Sequence, residues 1–325
     1  MTIKTLVTLN EVKLIQASWK ELLEKSKCNR AFSSPEWYLG CCLCNKNNPM
    51  TFVLSCNGKI RAILPLVNTE KTEVLTFTSI LADYNDLITE VNDLQSATRL
   101  LTVVLEENYQ YTRLVLENIR VDSNLYRAIL LLDKKGIKIR YKQTETCLIV
   151  NTNQNYSKYL SERSSAFRKD IKRKRKRAHD AGFLIEEVQP RKSEIPRLID
   201  RFMELHKSRI QNSVLSEGNN ECILKNVFSD LILNGAFRVF LVRRGNEIHA
   251  IQLSAQGVKS LGYWNGGFNQ EIDVISPGKL LFELQIIRCI EQGVGEFDLL
   301  RGNEAYKKSW ATATRPLVTI MIDPI

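Results

Sequence analysis

One order of segments occurs twice in this chain, and the repetition narrows the possible folds more than any bulk property does. Thr51-Phe52-Val53-Leu54-Ser55-Cys56 and Lys59-Ile60-Arg61-Ala62-Ile63-Leu64-Pro65-Leu66 flank Asn57-Gly58. Asn-Gly tolerates the positive φ angles of a two-residue type I′ turn, so a β-hairpin is predicted there. In the second half, residues 237–243 meet 247–256 across Arg244-Gly245-Asn246, and a further strand, 259–265, follows Gln256-Gly257. After each hairpin the pattern continues with a third strand (73–80 or 259–265), a loop, a helix (94–107 or 278–292) and a short strand (113–116 or 296–299). Antiparallel strands that lead through a helical crossover to another strand define a mixed α/β (α+β) sheet and exclude a barrel or a bundle.

The 325 residues suit two domains, and the polar break Asn151-Thr152-Asn153-Gln154-Asn155 divides them as 1–150 and 151–325. With 44% hydrophobic and 25% charged residues the chain is globular in composition, which excludes disordered, collagen-like and disulfide-scaffold classes. No run approaches the roughly 18 apolar residues of a membrane span. The start of the chain lacks the apolar block of a secretory signal, so a cytoplasmic location is expected.

The net charge of +10 is concentrated. Between Arg163 and Arg177 nine basic residues and one acid, Asp170, contribute +8 of it. Residues 164–181 are predicted to form a helix, with Phe167, Ile171 and Ala178 at helical spacing and Gly182 to stop it. Its arginines, Arg173 and Arg177 among them, suit phosphate oxygens, whether of a cofactor or of nucleic acid; a solvated helix face is the plainer reading. Phe167 is the one aromatic in that helix, which argues against stacking on single strands.

A metal centre is not expected. Cys41-x-x-Cys44 has no second pair, and His179, His206 and His249 are isolated in sequence. A Gly-x-Ser-x-Gly elbow is also missing, so serine hydrolysis has no support. The informative stretch is Gly262-Tyr263-Trp264-Asn265-Gly266-Gly267-Phe268, then Ser276-Pro277-Gly278-Lys279-Leu280-Leu281 and a helix ending at Gln292-Gly293. A strand feeding a loop with Gly278 at a helix start leaves backbone N–H groups directed at solvent, an anion cradle. Ser-Pro is equally an ordinary helix start.

These residues also carry a resemblance. The run 263–310, including Phe297-Asp298-Leu299 and Gly302-Asn303-Glu304-Ala305-Tyr306-Lys307-Lys308, resembles a GNAT acyltransferase domain. Over residues 32–322 the chain resembles the CelD/BcsL branch of GNAT proteins, associated with polysaccharide and cellulose production. Ser34-Pro35-Glu36-Trp37, Ile63-Leu64-Pro65-Leu66, Asp83-Tyr84-Asn85-Asp86, the 168–177 helix, Ser276-Pro277-Gly278 and Tyr306-Lys307 follow one another in the expected order.

The resemblance implies two tandem GNAT-like domains, each a mixed, mostly antiparallel sheet flanked by helices, related in architecture to Fem-type transferases. The second would bind acetyl-CoA or another acyl-CoA through Tyr263, Trp264, Asn265, Ser276, Gly278, Lys279, Leu280 and Lys307, with Arg173 and Arg177 near the phosphates. The first, degenerate, would shape the acceptor site with Asp83, Tyr84 and Asp86, which also read as a turn. Tyr306 stands where a general acid is expected; Asp298, Glu304 and His206 are candidate bases, and water could replace them. Each has a plain alternative: rim tyrosine, loop orienter, surface cap, satisfied helical histidine. The implied reaction is N-acyl transfer, acetyl first, to an amine of a small molecule, amino sugar or polysaccharide precursor. The glycine loop keeps only Gly278 of the usual pattern, so a Fem-like aminoacyl-tRNA donor is the second reading. A non-catalytic adaptor, binding nucleic acid or an anionic membrane surface through the basic helix, is the third.

Overall fold

The computed structural model describes residues 1–68, 74–108, 113–133, 137–210 and 213–323. It divides into two compact units, residues 1–146 with 316–325, and residues 147–315. Sequence alone places the division near 150 and leaves the last ten residues with the second domain.

The first unit begins with β1 (Thr2–Leu6), α1 (Leu9–Leu14), α2 (Gln16–Glu24) and α3 (Pro35–Asn45). The expected hairpin follows as β2 (Asn48–Cys56) and β3 (Lys59–Asn68), and Asn57 and Gly58 both take positive φ, 51° and 75°. Next come β4 (Val74–Thr76), β5 (Ile88–Thr89), α4 (Leu94–Asn108), β6 (Arg113–Arg120), α5 (Asn124–Asp133) and β7 (Ile139–Asn151). Residue 73, expected to open the third strand, lies outside the described residues, and the strand ends earlier than its apolar pattern suggests. Strands β1 to β4 pair antiparallel in order, β6 joins β4 in parallel, and residues 317–322 join β6 antiparallel.

Strand alternation sends side chains to two helical layers. Phe52, Leu54, Leu64 and Leu66 pack with Leu101, Val104 and Ile129 of α4 and α5, while Val53, Ile63 and Val67 pack with Val12, Trp19 and Tyr38 of α1 to α3.

The second unit repeats this plan. It contains α6 (Tyr156–Ser161), α7 (Ser165–Asp180), β8 (Leu184–Val188), α8 (Ile195–Arg209), α9 (Asn220–Leu233), β9 (Phe237–Arg244), β10 (Glu247–Gln256) and β11 (Ser260–Phe268). Then follow α10 (Pro277–Glu291), β12 (Glu296–Asp298) and the single turn α11 (Ala305–Lys308), before β13 (Ala313–Ile322), most of which belongs to the first unit. Strands β8 to β11 are antiparallel neighbours, β12 pairs β11 in parallel, and residues 149–151 pair β12 antiparallel. Glu247 pairs directly with Arg244, so the β9–β10 turn has two residues and not the three its sequence suggests.

One face of this sheet carries α8 and α9, where Phe228 packs on Phe237 and Trp264 at ring distances of 4.6 and 5.0 Å. The other carries α6, α7 and α10, joined by Tyr159, Ile171, Ala178, Phe282 and Ile286. Helix α7 ends where Gly182, at φ 72°, takes the left-handed conformation expected of it. No helix among the described residues is long and apolar enough to cross a membrane.

Candidate active site

The site forms where β11 loses a neighbour. β12 accompanies it only at Ser260, Leu261 and Gly262, whereas β10 follows it to Phe268. The β10–β11 register shifts so that Leu253 faces Asn265 and Ser254 faces Tyr263, leaving Trp264 as the extra residue of a β-bulge. A bulge re-aims the side chains on either side of it. Trp264 turns into the α9 core, and Tyr263 meets Phe282 of α10 at 4.7 Å.

Beyond the bulge, side chains replace strand partners. Asn265 Oδ1 accepts the Gly266 N–H at 3.0 Å, and His206 of α8 bonds the Gly266 carbonyl through Nδ1 at 3.0 Å. A carbonyl only accepts, so Nδ1 carries the proton and Nε2 accepts from the Ser213 hydroxyl at 2.6 Å. Burial holds the His206 imidazole below its ordinary pKa. Next to it, a Cβ on Gly267 would stand 2.4 Å from the His206 backbone nitrogen; glycine permits β11 and α8 to approach this closely.

A cavity of about 220 Å³ lies along this part of β11, with Tyr263, Gly266, Gly267 and Phe268 on one side and Ser276 to Lys279, Leu281 and Phe282 on another. Arg209, Gln252, Asp273, Tyr306 and Trp310 complete its principal lining. Its floor rests on a buried polar chain: Ser254 donates to Gln285, Gln285 donates to Gln252 at 2.7 Å, and Gln252 donates to the Gly278 carbonyl at 3.4 Å. Glutamines in the apolar runs of β10 and α10 are the sequence signal for this chain.

The anion cradle at α10 is smaller than expected. Pro277 has no N–H, and the Lys279 N–H turns back to the Ser276 carbonyl at 3.0 Å, beside the ordinary first helical bond from Leu280. That leaves the Gly278 N–H, together with the helix dipole, facing the cavity. The unusual backbone sits one position earlier than the glycine suggests: Ser276 adopts φ 50°. Gly278 is under no steric demand of its own, since a Cβ would find nothing nearer than Gln252 Nε2 at 3.8 Å.

Tyr306 stands at the rim, 42% exposed, with its ring stacked on Phe282 at 6.1 Å. Burial of its phenol, and then the neighbouring Tyr263 and Glu304, push its pKa up, so it keeps its proton at neutral pH. Burial likewise raises Tyr263, opposed by the nearby Arg209 charge. Glu304 is exposed and pairs with Lys307 Nζ at 3.1 Å, while buried Lys307 also donates to the Arg301 carbonyl at 2.6 Å.

The other expected residues lie apart from this lining. Asp298 is buried, accepting from the Leu300 N–H at 2.8 Å and from Arg315 at 2.9 Å. His206 is buried behind Gly266, and Leu280 is core. Arg173 pairs with Asp170 at 2.6 Å and Arg177 is exposed; neither lines the cavity. Their helix does reach its edge: Lys174 donates to the Val274 carbonyl at 2.9 Å, and Lys279 pairs with Asp170 at 2.7 Å. Asp83, Tyr84 and Asp86 belong to the first unit, where Asp83 and Tyr84 are buried and Asp86 caps the Leu87 N–H at 2.8 Å. Burial raises the Asp86 carboxyl to about 7 against the opposing charge of Arg120. Among the described residues no group of histidine, cysteine and acid could hold a metal. Sequence reasoning missed Arg209, Gln252, Phe282 and Trp310 as lining residues, which only the fold brings together.

Residues 165–308 match the family model described as "Acetyltransferase (GNAT) domain". The second unit carries a GNAT acyltransferase domain. The parted strands, the bulge and the loop entering α10 all lie inside the matched segment. In structure the chain is similar to FemX, at 12% identity and a TM-score of 0.70, covering 99% of this chain and 97% of that one. It is also similar to L-PGS from Bacillus licheniformis, at 12% identity and TM-score 0.63, over 95% and 91% of the two chains. The C-terminal domain (DUF2156) of a putative lysylphosphatidylglycerol synthetase from Agrobacterium fabrum gives 13% identity and 0.62, over 97% and 92%. No curated protein matches this sequence.

Proposed function

We propose that the chain is an N-acyltransferase that takes acetyl-CoA, or another acyl-CoA, in the cavity of the second unit and passes the acyl group to an amine. The observation that carries this reading is the cavity itself, placed at the parting of β11 and β12, with the start of α10 on one side and a protonated tyrosine at its rim. In this reading Lys279, the Gly278 N–H and the α10 dipole face the donor phosphates, and the edge of β11 flanks the acyl chain. The amine attacks the thioester carbonyl and loses its proton to water at the rim, while Tyr306 protonates the departing sulfur. His206 and Asn265 act through Gly266, holding the strand edge apart and in register.

The first unit does not offer the same site. Before α4, the counterpart of α10, Asp93 accepts the Ser96 N–H at 3.1 Å and pairs with Arg61 at 2.8 Å. A carboxylate of the chain occupies the place an anion would take, in keeping with a degenerate unit. By resemblance to the CelD/BcsL branch, an amino sugar or polysaccharide precursor is the acceptor proposed.

Exposed Lys169, Lys172, Arg173, Lys176 and Arg177 on α7 favour a second reading, an aminoacyl-tRNA donor tracked by that helix. Calorimetric titrations with acetyl-CoA and with aminoacyl-tRNA, at two salt concentrations, separate the two. Saturable acetyl-CoA binding supports the first, whereas tRNA binding alone, falling steeply with salt, supports the second.

A further inference from the structure

Three charged side chains line the cavity: Arg209, Lys279 and Asp273. Lys279 is already paired with Asp170 at 2.7 Å. Arg209 makes no ion pair among the described residues, and its buried Nε has no hydrogen-bond partner. A buried donor without an acceptor is a standing penalty that a bound oxyanion would remove. The guanidinium carbon lies 5.4 Å over the Phe268 ring and the group also bonds the Tyr263 phenol, so an aromatic covers one face and the N–H groups not turned to Tyr263 are what remain for a ligand.

Position adds to chemistry. Arg209 ends α8, and α8 is held against β11 by the Gly267 contact and the His206–Gly266 bond, so the guanidinium is carried by a braced element. The phenols of Tyr263 and Tyr306 lie near enough to feel its charge, and Tyr306 is the residue assigned above to the leaving sulfur.

We propose that Arg209 receives a carboxylate carried by the amine acceptor, which makes amino acids and carboxylate-bearing amino sugars the acceptor class. The planar fork of arginine matches a carboxylate with two parallel hydrogen bonds and fixes the direction from which the amine approaches. This inference rests on the acyl-transfer reading of the same cavity. In the step itself the amine nitrogen bonds to the acyl carbon and the carbon–sulfur bond breaks. The amine's proton goes to water, the sulfur takes one from Tyr306, and solvent returns a proton to the tyrosine. The carboxylate is unchanged throughout.

The test uses matched acceptors with the full chain: glycine, β-alanine and L-glutamate against their carboxamides, and muramic acid against glucosamine. Wild type, Arg209→Gln and Arg209→Lys are assayed for turnover with acetyl-CoA, and each is titrated with acetyl-CoA in a calorimeter. The expected result is a preference of roughly 10-fold or more in kcat/KM for the carboxylate member of at least one pair. Arg209→Gln should remove that preference through KM, Arg209→Lys should keep part of it, and donor affinity should stay within about two-fold of wild type. Equal use of both members by wild type overturns the proposal, as does turnover of none of the carboxylate-bearing amines by a chain that binds acetyl-CoA. Loss of acetyl-CoA binding in a folded Arg209→Gln chain would also overturn it, by assigning Arg209 to the donor phosphates. A wild-type chain that binds no acetyl-CoA fails the acyl-transfer reading first, and this inference with it.

Discussion

Gly267→Ala isolates the packing that builds the site. The added Cβ would lie 2.4 Å from the His206 nitrogen and 2.6 Å from the Leu205 carbonyl carbon, both backbone atoms inside α8. Ordinary contact needs a separation greater by roughly 1 Å, and a helix backbone cannot step aside as a side-chain tip can. Overpacking of this kind costs about 1–3 kcal/mol. The displaced helix would also stretch the His206–Gly266 bond, worth about 0.5–1.5 kcal/mol. The expected loss is therefore about 2–4 kcal/mol, or roughly 4–16 °C in the melting temperature of a unit of this size. Gly278→Ala is the control, because its Cβ has 3.8 Å of clearance and should change stability by less than about 0.5 kcal/mol. Differential scanning calorimetry of both variants decides the matter. An unaltered melting temperature in Gly267→Ala, or an equal loss in both, would refute the claim that β11 and α8 meet through a glycine-only contact.

Other expectations follow from the same geometry. Tyr306→Phe should lower kcat more than it raises the KM for acyl-CoA, by about 10²-fold at most because a thiolate leaves readily; steady-state kinetics with chemistry rate-limiting checks this. Since burial holds His206 below its ordinary value of 6.5, the unfolded chain takes up more protons there as pH falls. Stability should accordingly drop below about pH 6.5, and urea titrations of His206→Gln should show a flatter dependence. Arg173→Gln with Arg177→Gln, at exposed positions away from the cavity lining, should leave acetyl-CoA affinity unchanged by calorimetry but weaken any RNA binding.

What could be read from the sequence was what local chemistry decides. Asn57-Gly58 specified a turn because both residues accept positive φ, and Gly182 stopped α7 for the same reason. Hairpin, crossover helix and return strand could be counted twice because each is written in contiguous residues. The site was only half visible. Ser276, Gly278 and Lys279 stand in one loop-and-helix signature and Tyr306 in a second, and all four line the cavity, whereas Arg209 and Gln252 reach it from α8 and β10 through packing that periodicity does not report. His206 and Asn265 were singled out as reactive or ligand-binding types, yet the structure gives both of them Gly266 as a hydrogen-bond partner. The number of free N–H groups at α10 also depended on a fact no motif contains, the bond from the Lys279 N–H back to the carbonyl of Ser276.

The central claim is that the cavity beside the start of α10 holds an acyl-CoA, and calorimetric titration of wild type and Gly278→Asp with acetyl-CoA tests it most directly. Asp at this position keeps the fold, since the added Cβ meets only Gln252 Nε2 at an ordinary contact distance of 3.8 Å, but sets a carboxylate where the donor phosphates approach the Gly278 N–H. The account predicts saturable binding of one acetyl-CoA per wild-type chain and none to a Gly278→Asp chain that melts as wild type does. Equal binding by the two proteins, or none by wild type, would contradict it.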